Sequence, residues 1–419
     1  MAEKRSKESV RAYRIGVGLF LLFMFLGLFL YMVGGLFQTT YENMPAVATS
    51  TAAVASADPE IPVRHATHVD TPDPVKTIYM TSCVASTHSL RDNLVKLVDD
   101  TEVNSVLIDI KTYDGYLSFM PEDPALKDSV GGCYVKDMQD FIDTLHAHGI
   151  YVIGRVASFQ DQYMVKKRPD LAVKKESATS TVWRDYKGIA WIDASSVEHW
   201  RYLVDIAKEA HAIGFDEINF DYIRFPADGD MKDIWYPLSG NKDKSQVIRG
   251  FYEYLHHELS PLGIVISGDL FGMTTTNTDN LGIGQILEYG LANFDYVMPM
   301  VYPSHYPNGF YGIPDPNKDV YNVVKISMNK AVARAGATTT PIFMPDARIG
   351  TSTPAIYSKP VWDVKKLRPW LQDNNYPVTY TPEMVKAQIQ ASYDAGTTGW
   401  GLWNAANRYT KSALEPAEQ

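Results

Sequence analysis

FDEINFDYIRFP, residues 215–226, reads as one β-strand and its exit. Successive side chains of a strand point to opposite faces. Ile218, Phe220 and Tyr222 therefore share one face, and Glu217, Asn219 and Asp221 share the other. One face is apolar and the other ionisable, so charge is placed where a fold would normally keep its interior.

Seven further runs surround it: TIYMTSCV (77–84), SVLIDIKTY (105–113), YVIGRVASF (151–159), IVISGDLFG (264–272), YVMPMVYPS (296–304), LRPWLQD (367–373) and GWGLWNAAN (399–407). Amphipathic stretches lie between them, among them SLRDNLVKLVDDT (89–101), VKDMQDFIDTLHAHG (135–149), SVEHWRYLVDIAKEAHAIG (196–214) and TPEMVKAQIQASYDAG (381–396). The last three of these close with glycine, a common helix end. Strands alternating with helices imply a parallel sheet, and eight such units imply an α/β fold, the (β/α)8 TIM barrel. TTTPIFMPDARIG (338–350) competes with LRPWLQD for the seventh strand, and one of the two is an insertion.

The chain has 419 residues, 45% of them hydrophobic and 12% aromatic, enough to bury a large core. Its formal charge of -10 argues against nucleic acid as a partner. The basic segment 1–14, with Lys4, Arg5, Lys7, Arg11 and Arg14, precedes an uncharged apolar run at 15–37. That run is long enough to span a membrane as a single helix. The positive-inside rule keeps the N-terminus cytoplasmic and places the rest outside, as a single-pass protein of the cell membrane. A cleaved signal peptide is the competing reading, but its apolar region is shorter. Residues 38–75 read as a flexible spacer, 76–409 as the barrel and 410–419 as a tail. Cys83 and Cys133 pair in a disulfide or stay as small buried residues; the bridge is the preferred reading.

In such a barrel the chemistry sits at the C-terminal ends of the strands. Asp221 ends strand four, Asp269 follows the apolar start of strand five, and Asp373 ends strand seven; these are the candidate catalytic carboxyls. Asp109 and Lys111 share a face of strand two, and Arg155 lies on strand three. With Asn219, Arg224, Tyr302, His305, Trp403 and Asn404 they form the candidate substrate-binding set. Buried ion pairing is the competing role for each charged member. Asp216 begins its strand and is read as structural, and Glu217 as too deep for substrate, countering Lys111 or Arg155. Tyr302, His305, Tyr306 and Trp403, with Trp183, Trp191, Trp235 and Tyr236 in the loops, offer flat rings beside polar groups. A ligand with C–H faces and hydroxyls fits them, which describes a sugar; ordinary loop filling is the alternative. His146 and His148, and His256 and His257, lack the i, i+4 spacing of a helical metal site, so neither metal nor cofactor is expected.

GFDEINFDYIRFP, SVLIDIK, WIDASSVEHWRYLVDIAKEA, FDYVMPMVYPSHY and RPWLQD together resemble the bacterial "putative glycosyl hydrolase domain" family, TIM barrels of unknown function, over about 77–407. The resemblance implies a barrel acting on a glycan. More distantly, MVY at 300–302 and Trp403 are similar to chitinase-type barrels. Those carry a glutamate two residues past the last aspartate of strand four, where this chain has Ile223. Alpha-amylase-type barrels place a nucleophile, an acid and a stabilising aspartate on strands four, five and seven, which Asp221, Asp269 and Asp373 match in order. Asp269 stands where that group has glutamate. The implied reaction uses one protonated carboxyl to assist the leaving oxygen and one ionised carboxyl to attack or to activate water. The expected function is thus a membrane-anchored extracytoplasmic glycoside hydrolase of a cell-wall or surface polysaccharide. A non-catalytic glycan-binding barrel that keeps the cleft is the alternative.

Overall fold

In the computed structural model, residues 66–345 and 347–417 are described. The apolar run at 15–37, read above as an anchor, lies outside them; among the described residues no helix is long and apolar enough to cross a membrane. Eight parallel strands close into a barrel: β1 (Lys76–Met80), β2 (Ser105–Lys111), β3 (Tyr151–Ala157), β4 (Glu217–Asp221), β5 (Val265–Phe271), β6 (Tyr296–Met300), β7 (Trp370–Gln372) and β8 (Trp400–Trp403). Each pairs with its sequence neighbours, and β8 returns to β1.

The connecting helices are α1 (His88–Asp99), α2 (Met138–Ala147), α3 (Val197–Ala212), α4 (Lys244–Leu259), α5 (Leu287–Asn293), α6 (Val320–Gly336) and α7 (Pro382–Asp394). Their starts are local: Ser196, Asp243 and Thr381 accept the free first-turn amides of α3, α4 and α7. After α3 the chain reverses at Gly214, whose φ of 115° suits glycine.

The alternation of β4 is observed. Ile218 and Phe220 join the main core between strands and helices, while Glu217, Asn219 and Asp221 point inside the barrel. Tyr79, Leu107, Tyr151, Ile153, Met298 and Trp370 fill that interior. At its lower end Arg368 Nη1 donates to Glu217 at 2.8 Å, and Tyr151 donates to the same oxygen at 3.1 Å. Glu217 therefore counters Arg368, not Lys111 or Arg155. Asp216 accepts from the amides of Val69 and Val152, each at 2.8 Å, the structural role expected for it.

The first run yields a shorter strand than expected, because Thr81 caps a helical turn, Ser82–Ala85. That turn carries Cys83, which is bonded to Cys133. The competition for strand seven goes to LRPWLQD. The rival segment contributes to a small antiparallel sheet of Thr339–Thr340, Ile356–Ser358 and Arg348–Ile349, inserted between α6 and β7.

Two boundaries shift. Residues 66–75 are not spacer: Val75 is buried, and Thr71 hydrogen-bonds Tyr151 at 3.0 Å. The tail is also packed, with Ala413 and Leu414 buried and the Glu102 amide donating to the Glu415 carbonyl at 2.9 Å.

Candidate active site

Asp221 is the last residue of β4, and the chain leaves the sheet abruptly after it. Tyr222 takes φ 52°, a left-handed conformation uncommon for a bulky residue. That turn aims the Tyr222 amide at Asp221 Oδ1, at 2.5 Å, and brings its ring to the cavity wall instead of the outer face read from alternation. The other oxygen, Oδ2, accepts from Arg155 Nε at 3.2 Å and Nη2 at 2.5 Å. Arg155 comes from β3 and spans two carboxylates, since its Nη1 donates to Asp109 Oδ1 at 2.5 Å. Asp109 is held in turn by the Tyr79 hydroxyl at 2.5 Å. Burial pushes the Asp109 carboxyl above its ordinary range, against the pull of Arg155. Tyr79 stacks on Trp403 at 4.1 Å between ring centres, and the Arg155 guanidinium lies 5.4 Å from the Trp403 ring centre.

Asp269 stands on the adjacent strand β5. Its Oδ1 accepts from Asn219 Nδ2 at 3.0 Å and from the Trp370 indole at 2.9 Å. Both donors are neutral. Burial, and then the negative charge of Asp221 nearby, push its proton affinity well up, with Arg155 only partly opposing them. Two carboxyls thus differ by their direct partners: Asp221 is bonded to a guanidinium, and Asp269 only to neutral donors.

Asp221, Asp269, Arg155, Tyr302, His305 and Trp403 all line one cavity of about 530 Å³ at the C-terminal ends of the strands. Phe271, Met300 and Tyr306 add apolar wall, and Arg224 lies on its side. Asn219 lies beneath, fixing Asp269, and Asp109 fixes Arg155 from behind.

Three sequence candidates go elsewhere. Lys111 is fully buried, bonded to Asp161 at 2.9 Å and to the Ala157 carbonyl at 2.6 Å, because a register shift between Asp109 and Lys111 takes it off the face of Asp109. Asp373 accepts from the Thr410 amide at 2.8 Å and hydroxyl at 2.6 Å, and burial lifts its carboxyl to about 6. Asn404 bonds the carbonyls of Asp373 and Arg408. Neither Asp373 nor Asn404 lines the cavity. Trp183 and Trp191 are buried in the core, as the loop-filling reading has it. Sequence reasoning missed Trp370, Tyr79 and Phe271. Trp370 was visible in LRPWLQD, where its place on β7 marks it as inward.

The fold is thus a (β/α)8 barrel whose C-terminal mouth carries two carboxyls in unlike surroundings. The chain belongs to the family described as "Putative glycosyl hydrolase domain", which it matches over residues 77–409. No curated protein matches it. Among solved structures, a hypothetical protein from Ruminiclostridium thermocellum is 34% identical, covering 49% of this chain and 98% of that one with a TM-score of 0.42. The PgaB (BpsB) glycoside hydrolase domain from Bordetella bronchiseptica is 12% identical over 80% of this chain and 95% of that one, with a TM-score of 0.53. At that identity the likeness concerns the fold. An alpha-galactosidase from Thermus thermophilus is 12% identical over 80% of this chain and 58% of its own, with a TM-score of 0.45.

Proposed function

We propose that the barrel is a glycoside hydrolase of a cell-wall or surface polysaccharide, with Asp269 as proton donor and Asp221 as the carboxylate that attacks the anomeric carbon or stabilises its positive charge. The observation that carries this reading is the placement of Asp221 and Asp269 on neighbouring strands in one cavity, the one bonded to a guanidinium and the other to neutral donors. Asp269 delivers its proton to the glycosidic oxygen as the C–O bond breaks, and the departing sugar leaves as an alcohol. The positive charge that develops on the ring is met by Asp221, and water completes the cleavage, giving its proton to the now ionised Asp269 and so restoring the acid. Arg155 positions Asp221 and keeps it from turning toward Asp269. Tyr302 and Trp403 supply flat apolar surface for the sugar face.

The test uses wild type and Asp221→Asn against a panel of cell-wall and capsular polysaccharides, with released reducing ends as the readout. We expect turnover to fall about 10²- to 10⁴-fold with the fold retained. Undiminished hydrolysis by a folded Asp221→Asn protein removes Asp221 from the mechanism. Glycan binding without hydrolysis by wild type favours the non-catalytic barrel.

We also propose that the run at 15–37 anchors the barrel outside the cytoplasmic membrane, from its length and the basic residues before it. Protease added to intact spheroplasts then releases a fragment beginning within 38–65, and a protected chain reverses the topology.

A further inference from the structure

Four arginines are buried among the described residues: Arg91, Arg155, Arg224 and Arg368. Three are matched by carboxylates, Arg91 by Asp137 at 2.6 Å, Arg155 by Asp109 and Asp221, and Arg368 by Glu217 at 2.8 Å. Arg224 has no ion pair among the described residues, although it is only 8% exposed. Buried cations are seldom left in this state, since removal from water without a counter-charge is costly.

Its surroundings explain how it is held. The guanidinium lies 4.6 Å from the ring centre of Phe271, 4.9 Å from Trp191 and 5.6 Å from Tyr222. These rings fix its plane by cation–π contact and keep water from its faces. Nη1 donates to the Phe225 carbonyl at 3.0 Å. Nε and Nη2 make no hydrogen bond among the described residues, and together they form the edge that receives a carboxylate in two parallel bonds. Three carboxylates act on Arg224 from longer range, Asp221, Asp228 and Asp185. Asp221 is turned to Arg155, Asp228 accepts from the Tyr186 amide at 3.3 Å, and Asp185 accepts from the Trp191 indole at 3.1 Å. Lys187, exposed and without an ion pair among the described residues, adds a second cation to the same cavity, where its charge is felt by His305.

We propose that Arg224, assisted by Lys187, binds an oxyanion carried by the sugar, so that the cavity takes an acidic polysaccharide in preference to a neutral one. The inference rests on reading the cavity as a glycan site and adds the charge class of the glycan. A uronate carboxylate, a sulfate ester and a phosphodiester share the chemistry, and the planar fork suits the carboxylate best.

The experiment measures binding separately from cleavage. Calorimetric titration of wild type and Asp221→Asn with oligosaccharides of hyaluronan and polygalacturonate is compared with their carboxyl-reduced counterparts. Chondroitin sulfate and a phosphodiester-linked glycan identify the other two oxyanion sources. We expect the acidic forms to bind at least about tenfold more tightly than the reduced forms, with the gap narrowing in about 0.5 M salt. Arg224→Gln should collapse that ratio, Arg224→Lys should restore part of it, and Lys187→Gln should lower it by a smaller factor. Since Lys187 is exposed, its variant keeps the test alive if Arg224→Gln fails to fold. Equal binding of reduced and acidic forms, failure of every acidic glycan to bind, or an unchanged ratio in folded Arg224 variants overturns the inference. Acidic glycans bound but not cleaved by wild type sink the hydrolase and leave this inference standing. Cleavage of neutral glycans with no acidic preference does the reverse.

Discussion

Water is excluded from the Asp269 carboxyl and a second negative charge stands close by, and both raise its proton affinity. That has a consequence for stability as well as for catalysis. An unfolded aspartate titrates near about 3.9, and the folded value lies well above its ordinary range. Between the two, the folded chain holds a proton that the unfolded chain has released, so stability falls as pH rises through this window. Asp269→Asn removes this residue's share of the slope while its amide oxygen still accepts from Asn219 and Trp370. The variant should melt higher than wild type near about pH 7 and level with it near about pH 3, below both titrations, while turnover drops about 10²-fold or more. Scanning calorimetry across pH decides it: equal or lower melting of Asp269→Asn at neutral pH counts against a raised proton affinity at Asp269. For Asp221→Asn the stability loss should fall short of the roughly 3 to 5 kcal/mol of a fully broken buried pair, because Arg155 keeps Asp109.

At the scale of elements, the disulfide ties the turn after β1 to the loop before α2, residues 50 apart in sequence. Closing a loop of that length restricts the unfolded chain by about 4 kcal/mol in the loop-entropy account. Reduction should therefore lower the denaturant midpoint of the barrel, and an unchanged midpoint would show that the bridge does not constrain unfolding. The strands themselves were legible where they run long. In β4 and β5 a period of two carries Asp221 and Asp269 inward, and the structure places both there. The same rule failed for Lys111, because an irregularity in pairing with β3 resets the alternation within β2, and nothing in SVLIDIK announces it. Asp373 is a candidate by its place at the strand end, but alternation from the inward Trp370 puts it with Leu371 on the other face, and there it bonds Thr410. Arg224 lies past the end of β4, so its place on the cavity wall depends on the left-handed turn at Tyr222, which sequence does not disclose for a tyrosine.

For the whole molecule, the barrel divides by end. The lower end is plugged by Arg368, Glu217 and Tyr151 and sealed by residues 66–75; the upper end carries the cavity. A chain cut to begin at Lys76 loses the Val69 amide from Asp216 and the Thr71 hydroxyl from Tyr151. We expect it to be less stable than one beginning at Ala66 by about 1 to 3 kcal/mol, the usual penalty for stranding a buried polar partner. Matched denaturant titrations of the two would show equal midpoints if the segment were mere spacer.

The same segment decides how the barrel can be handled. The chain enters beneath the strands at Val69, and near the other limit of the described residues the Ala417 amide reaches the Asp100 carbonyl, just past the lower end of α1. Entry and exit thus share the face opposite the mouth. A biosensor surface, a fluorescent reporter or a host protein joined at either place would lie on the side of the barrel away from the cavity.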